Sequence, residues 1–67
     1  MTNINKEVGK RIRAYRIKKE LTQETLAFNS GLHRAYIGHI ERGEKNIGLK
    51  NLQKIAKALK INVKELL

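Results

Sequence analysis

Sixty-seven residues make one small domain; a chain that short buries only about 60% of its unfolded surface, so stability is marginal and a partner subunit would add to it. There is no cysteine, which excludes disulfides and thiolate metal sites; no apolar run exceeds three residues and no signal-peptide pattern opens the chain, so the expected setting is the cytoplasm rather than a membrane. Fifteen Lys and Arg against six acidic residues, all Glu, give a formal charge of +9, which points to a polyanionic partner such as nucleic acid.

With no proline and many aliphatic helix formers, the composition favours an all-α fold, and five helices are predicted. The first runs from about Asn5 to Lys19. Val8, Ile12, Tyr15 and the stem of Lys19 recur at i, i+4, i+7 and i+11, while Lys10, Arg11, Arg13 and Lys18 fall mostly off that face. The second begins at Thr22, a plausible N-cap, with Glu24 in the first turn where the helix dipole favours a carboxylate. Leu26 and Ala27 point inward, and the helix stops at Ser30-Gly31, where glycine can take the left-handed conformation of a tight turn.

The third helix spans about His33 to Arg42, with Tyr36, Ile37 and Ile40 on its inner side and Gly43 just past its end. After the loop from Glu44 to Gly48, the fourth helix covers Leu49 to Leu59. There Leu52, Ile55, Ala56 and Leu59 form the apolar stripe, and Lys50, Lys54, Lys57 and Lys60 fill the rest of the circumference. Asn62 is placed to cap a short last helix, Val63 to Leu67. Nothing suggests a linker or an internal repeat, so residues 1–67 read as a single domain.

The stretch TQETLAFNSGLHRAYIGHIERG, residues 22–43, sets two short amphipathic helices, about 22–42, around a glycine turn. That is the pattern of a helix-turn-helix, whose second helix can lie in the DNA major groove. The wider sequence supports a specific likeness through GKRIRAYR, LTQETLAFNSGL and IERGEKNIGLKNLQKIAKALKINVKEL. It resembles the Xre/Cro-like helix-turn-helix regulators, and LHRAYIGHIERGEKNI is most similar to controller proteins of restriction–modification systems. The resemblance implies a compact, five-helix, lambda-repressor-like domain that binds double-stranded DNA and regulates transcription.

It also implies roles for particular residues. Arg34, Ala35, Tyr36 and His39 would meet base edges. For Arg34 the chemistry agrees, because a guanidinium fork matches guanine O6 and N7, and Ala35 can touch a thymine methyl. Gln23, His33, Arg42, Lys45, Asn46 and Lys50 would hold phosphates, which positions the protein without specifying sequence. Arg16 and Glu41 would form a structural ion pair tying helix 1 to the end of helix 3. His33 and His39, six apart, lack the spacing that sets two metal ligands on one face, and no metal, cofactor or small-molecule ligand is expected. Gly38, inside a helix, implies either close packing or close approach to DNA.

Ile61, Val63, Leu66 and Leu67 give the segment 60–67 more apolar surface than a terminal cap needs, so an isologous homodimer is expected there. No catalytic constellation is visible, so the chain is not read as an enzyme. Two other function classes stay open on the sequence. One is an antitoxin-type protein-binding module, or a phage-type repressor of the same fold; the other is a membrane-active basic helical peptide, suggested by the lysine-rich fourth helix.

Overall fold

The computed structural model describes residues 3–67. Four α-helices follow one another: α1 (Ile4–Lys18), α2 (Gln23–Ser30), α3 (Arg34–Glu41) and α4 (Leu49–Leu59). A single 3₁₀ turn, Val63–Leu66, takes the place of the expected fifth helix. The Asn62 side chain accepts from the Lys64 N–H, and the Glu65 and Leu67 N–H groups both bond three residues back. Val63 and Leu66 are three apart, a spacing that suits either kind of turn, so the apolar pattern could not separate them.

Local chemistry sets the helix ends. Asn3 caps α1, its side chain accepting from the N–H groups of Asn5 and Lys6, so α1 begins before the predicted start. At its other end α1 stops at Lys18; Lys19 is an exposed C-cap, and its stem does not extend the apolar face. The Thr22 hydroxyl accepts from the Thr25 N–H and starts α2. Gly31 ends it at φ 72°, which directs the chain into α3 within three residues. Gly43 turns the chain out of α3 at φ 73°, and a Cβ there would lie 2.8 Å from Lys6 Cα.

Val8 and Ile12 of α1, Leu26 and Ala27 of α2, Ile37 and Ile40 of α3, and Leu52, Ile55, Ala56 and Leu59 of α4 form one core. Leu66 completes it and is fully buried, which removes it from the expected dimer surface. Once the 3₁₀ turn folds back on α1 and α4, that side chain is spent on the monomer's own core. Ile61 and Val63 are half-buried against the same core, whereas Leu67 remains 60% exposed.

The crossing of α1 over α3 orients the rest of the fold. Gly9 lies against the C-terminal end of α3, and a Cβ there would collide with the Ile40 carbonyl and reach within 2.8 Å of that of Glu41. The absent side chain lets two backbones touch. Among the described residues, no helix is long and apolar enough to cross a membrane.

Candidate nucleic-acid interface

The 3.6-residue period divides α3 into two sides. Ile37, Ile40 and Glu41 face inward and are buried. Ala35, His39 and Arg42 then share one outward row at i, i+4 and i+7, with Arg34 and Tyr36 on its flanks.

A buried polar cluster pins the inward side. Arg16 donates from Nε to Glu41 Oε2 at 2.6 Å and from Nη2 to Oε1 at 3.1 Å, and its Nη1 reaches the Leu21 carbonyl at 2.8 Å. The Gln23 amide adds a third donor to Glu41 at 3.1 Å. The ion pair is nearly removed from water (12% of Arg16 and 2% of Glu41 is exposed), Gln23 is half-buried, and no buried side-chain polar atom among the described residues lacks a partner. Three segments thus meet on one carboxylate: α1, the start of α2 and the end of α3. Gln23, expected at phosphate, also braces the outward-facing helix from behind.

The outward side is held loosely. Arg34 lies 3.7 Å from Glu24, with both side chains mostly exposed, so the pair is weak and Arg34 is free to leave it. Tyr36 is half-buried and covers the core edge; its hydroxyl accepts from Asn51 Nδ2 at 3.1 Å and keeps its own hydrogen for an outside acceptor. Asn51, on α4, was not singled out from the sequence, and its only signal there was a polar residue beside the apolar stripe.

At the end of the row, Glu44 gathers two side chains. Its Oε1 lies 2.8 Å from His39 Nδ1 and 3.1 Å from Arg42 Nε. The hydrogen bond with His39 first, and that with Arg42 second, hold the Glu44 carboxyl below the usual carboxylate range. The sequence marks Glu44 only as the first loop residue; an acidic group within a basic surface is the clue that went unused. Arg42, expected as a phosphate clamp, thus lies in the outward row itself. Gly38 sits beneath it: a Cβ there would be 3.2 Å from Arg42 Nη1 and 3.7 Å from Gln23 Oε1. Its smallness makes room for the guanidinium to fold back over the helix.

Around this row lie the remaining expected contacts. His33 is the exposed N-cap of α3 and makes no side-chain cap bond, Lys45 is exposed in the loop, and Lys50 is exposed in the first turn of α4. Asn46 accepts from Asn5 Nδ2 at 2.6 Å, which ties the loop to the start of α1. Among the described residues no group of three or more potential metal ligands comes together.

Residues 12–66 match the model of the helix-turn-helix family. The chain belongs to the helix-turn-helix family. This helix-turn-helix protein is 47% identical over 66 residues to the control protein C.BamHI of Bacillus amyloliquefaciens, a match covering 97% of this chain and 82% of that one. It is 46% identical over 65 residues to the control protein C.SmaI of Serratia marcescens, covering 97% and 77%. Its fold superposes with a TM-score of 0.92 on the crystal structure of the restriction-modification controller protein C.AhdI from Aeromonas hydrophila, at 49% identity and covering 94% and 96% of the two chains. The Xre/Cro-like likeness read from the sequence is therefore that of the whole domain, and a non-enzymatic regulator is the activity that goes with it.

Proposed function

We propose that the protein is the controller of a restriction–modification system, a transcriptional regulator that binds a palindromic operator as a homodimer. One observation carries the reading: the outward face of α3 bears Arg34, Ala35, Tyr36, His39 and Arg42, on a helix whose opposite side is fixed by the buried Arg16–Glu41–Gln23 cluster. The high identity to control proteins supports the controller assignment.

In this reading α3 enters the major groove, where Arg34, Ala35, Tyr36 and His39 meet base edges. Gln23, His33, Arg42, Lys45, Asn46 and Lys50 hold the backbone on either side. One such helix reads only a few base pairs. A two-fold axis sets a second copy about 34 Å away, one helical turn along the duplex. The exposed Leu67, with the outer parts of Ile61 and Val63, supplies the self-association surface. Regulation follows from occupancy: a dimer seated near a promoter blocks polymerase or assists it.

Selection of bound sequences from a random DNA pool tests this. Enrichment of a two-fold-symmetric motif is expected, and enrichment of no motif would overturn the reading.

A further inference from the structure

We propose that Glu44 determines what His39 reads, by fixing the imidazole tautomer so that Nε2 faces outward as a hydrogen-bond acceptor for a base amino group, cytosine N4 or adenine N6. The proposal rests on the reading of α3 as the helix that enters the major groove.

Three contacts bear on the tautomer, and the shortest sets it. Glu44 Oε1 is 2.8 Å from His39 Nδ1, and it also accepts from Arg42 Nε. An ionised carboxylate only accepts, so a hydrogen must sit on Nδ1. Arg42 Nη2 also approaches Nδ1, at 3.3 Å. A guanidinium only donates, and one ring nitrogen cannot give to Glu44 and take from Arg42 at once. The shorter contact decides: an unprotonated Nδ1 would press its lone pair against the carboxylate. In the neutral ring the one hydrogen is then spent on Nδ1, and Nε2 carries the lone pair.

Position turns this into specificity. His39 is the middle member of the outward row, one helical turn, about 6 Å, beyond Ala35. Its side chain is 42% exposed. Of the groups a major groove offers, purine N7, guanine O6 and thymine O4 are acceptors, as are phosphate oxygens, and each repels a lone pair. Only the exocyclic amino groups donate. Glu44 needs no contact with DNA for this; it is a positioning residue that acts through the ring. Arg42 shares the same carboxylate, so its guanidinium is held beside the ring and aimed along the same row.

The test begins with the site that the wild-type protein selects from random DNA. Each exocyclic amino group in that site is removed in turn, purine replacing adenine or a pyrimidinone replacing cytosine, and each N7 is separately replaced by its 7-deaza analogue. Affinities are measured at mildly alkaline pH, which favours the neutral ring. Loss of one amino group per half-site is expected to weaken the wild-type protein about three- to tenfold. His39→Ala should be indifferent to that replacement. Glu44→Gln, whose amide can donate to Nδ1 and release the tautomer, should also lose the sensitivity and relax base preference at that pair alone. Equal amino-group sensitivity in wild type and His39→Ala would overturn the proposal, as would a wild-type His39-dependent response to N7 replacement. Enrichment of no site at all would sink DNA reading itself, and this inference with it. The two substituted side chains lie at the surface, so neither change opens the core.

Discussion

A methyl group on residue 9 would occupy the space now filled by the Ile40 and Glu41 carbonyls. Helix propensity alone favours alanine there by about 1 kcal/mol, while overpacking costs about 1–3 kcal/mol. Gly9→Ala is therefore expected to lower stability on balance, read as a lower urea midpoint; an unchanged or higher midpoint would mean that α1 and α3 separate easily. Surface substitutions should divide along different lines. Arg34→Ala should relax base preference at one position of each half-site, with a loss of about 1–3 kcal/mol on the selected site. Lys45→Ala should weaken binding to all DNA about equally and make its salt dependence shallower. Equal effects of the two changes on specificity would contradict the division between reading and positioning. As proposed contacts, Arg34 and Lys45 were accessible from the sequence because their chemistry is their own. Gly9 was not, because its role lies in a backbone 31 residues away, and neither was Glu44, whose meaning depends on where His39 and Arg42 point.

At the scale of elements, strength of pattern decided what could be read. The four-residue apolar stripe of α4 gives its bounds, Leu49–Leu59, as they stand in the structure. The last turn had two weakly spaced apolar residues and a capping Asn62, and the tighter hydrogen-bond ladder prevailed. That turn is fastened to α1 by Leu66, by Arg11 Nη1 donating to the Leu67 carbonyl at 2.9 Å, and by Tyr15 donating its hydroxyl to Glu65 at 2.8 Å. The bond to Glu65 is the first cause raising the Tyr15 hydroxyl above the usual tyrosine range. A raised folded-state value means that the contribution is fully present below the unfolded tyrosine's titration and is lost as pH rises through the folded one. The thermal midpoint should therefore owe nothing to this bond's titration around neutrality and fall in strongly alkaline solution. Tyr15→Phe should remove that part of the fall, and an identical alkaline profile in the variant would count against the link.

For the whole molecule, the charge told of a polyanion but not of where it sits. Of the fifteen basic residues, only Arg34, Arg42, Lys45 and Lys50 belong to the proposed DNA contacts, and Arg16 is consumed by Glu41. Composition reports a total, and only the fold distributes it. The proposed self-association depends on distribution in the same way. Leu67→Glu should shift the protein toward monomer in sedimentation equilibrium while leaving the unfolding midpoint of the monomer nearly unchanged; Leu66→Ala should instead cost about 2–5 kcal/mol of folding stability. A dimer unaffected by Leu67→Glu would place the interface elsewhere. The two-sided construction of α3 has a longer reach. Its anchoring residues and its outward row share no side chain, so Ala35 and His39 can be exchanged without renegotiating the core. If α3 reads DNA as proposed, related lineages can drift apart in the operators they recognise through a few surface substitutions, each keeping a working fold at every step, and two such systems can share one cell without answering to each other's sites.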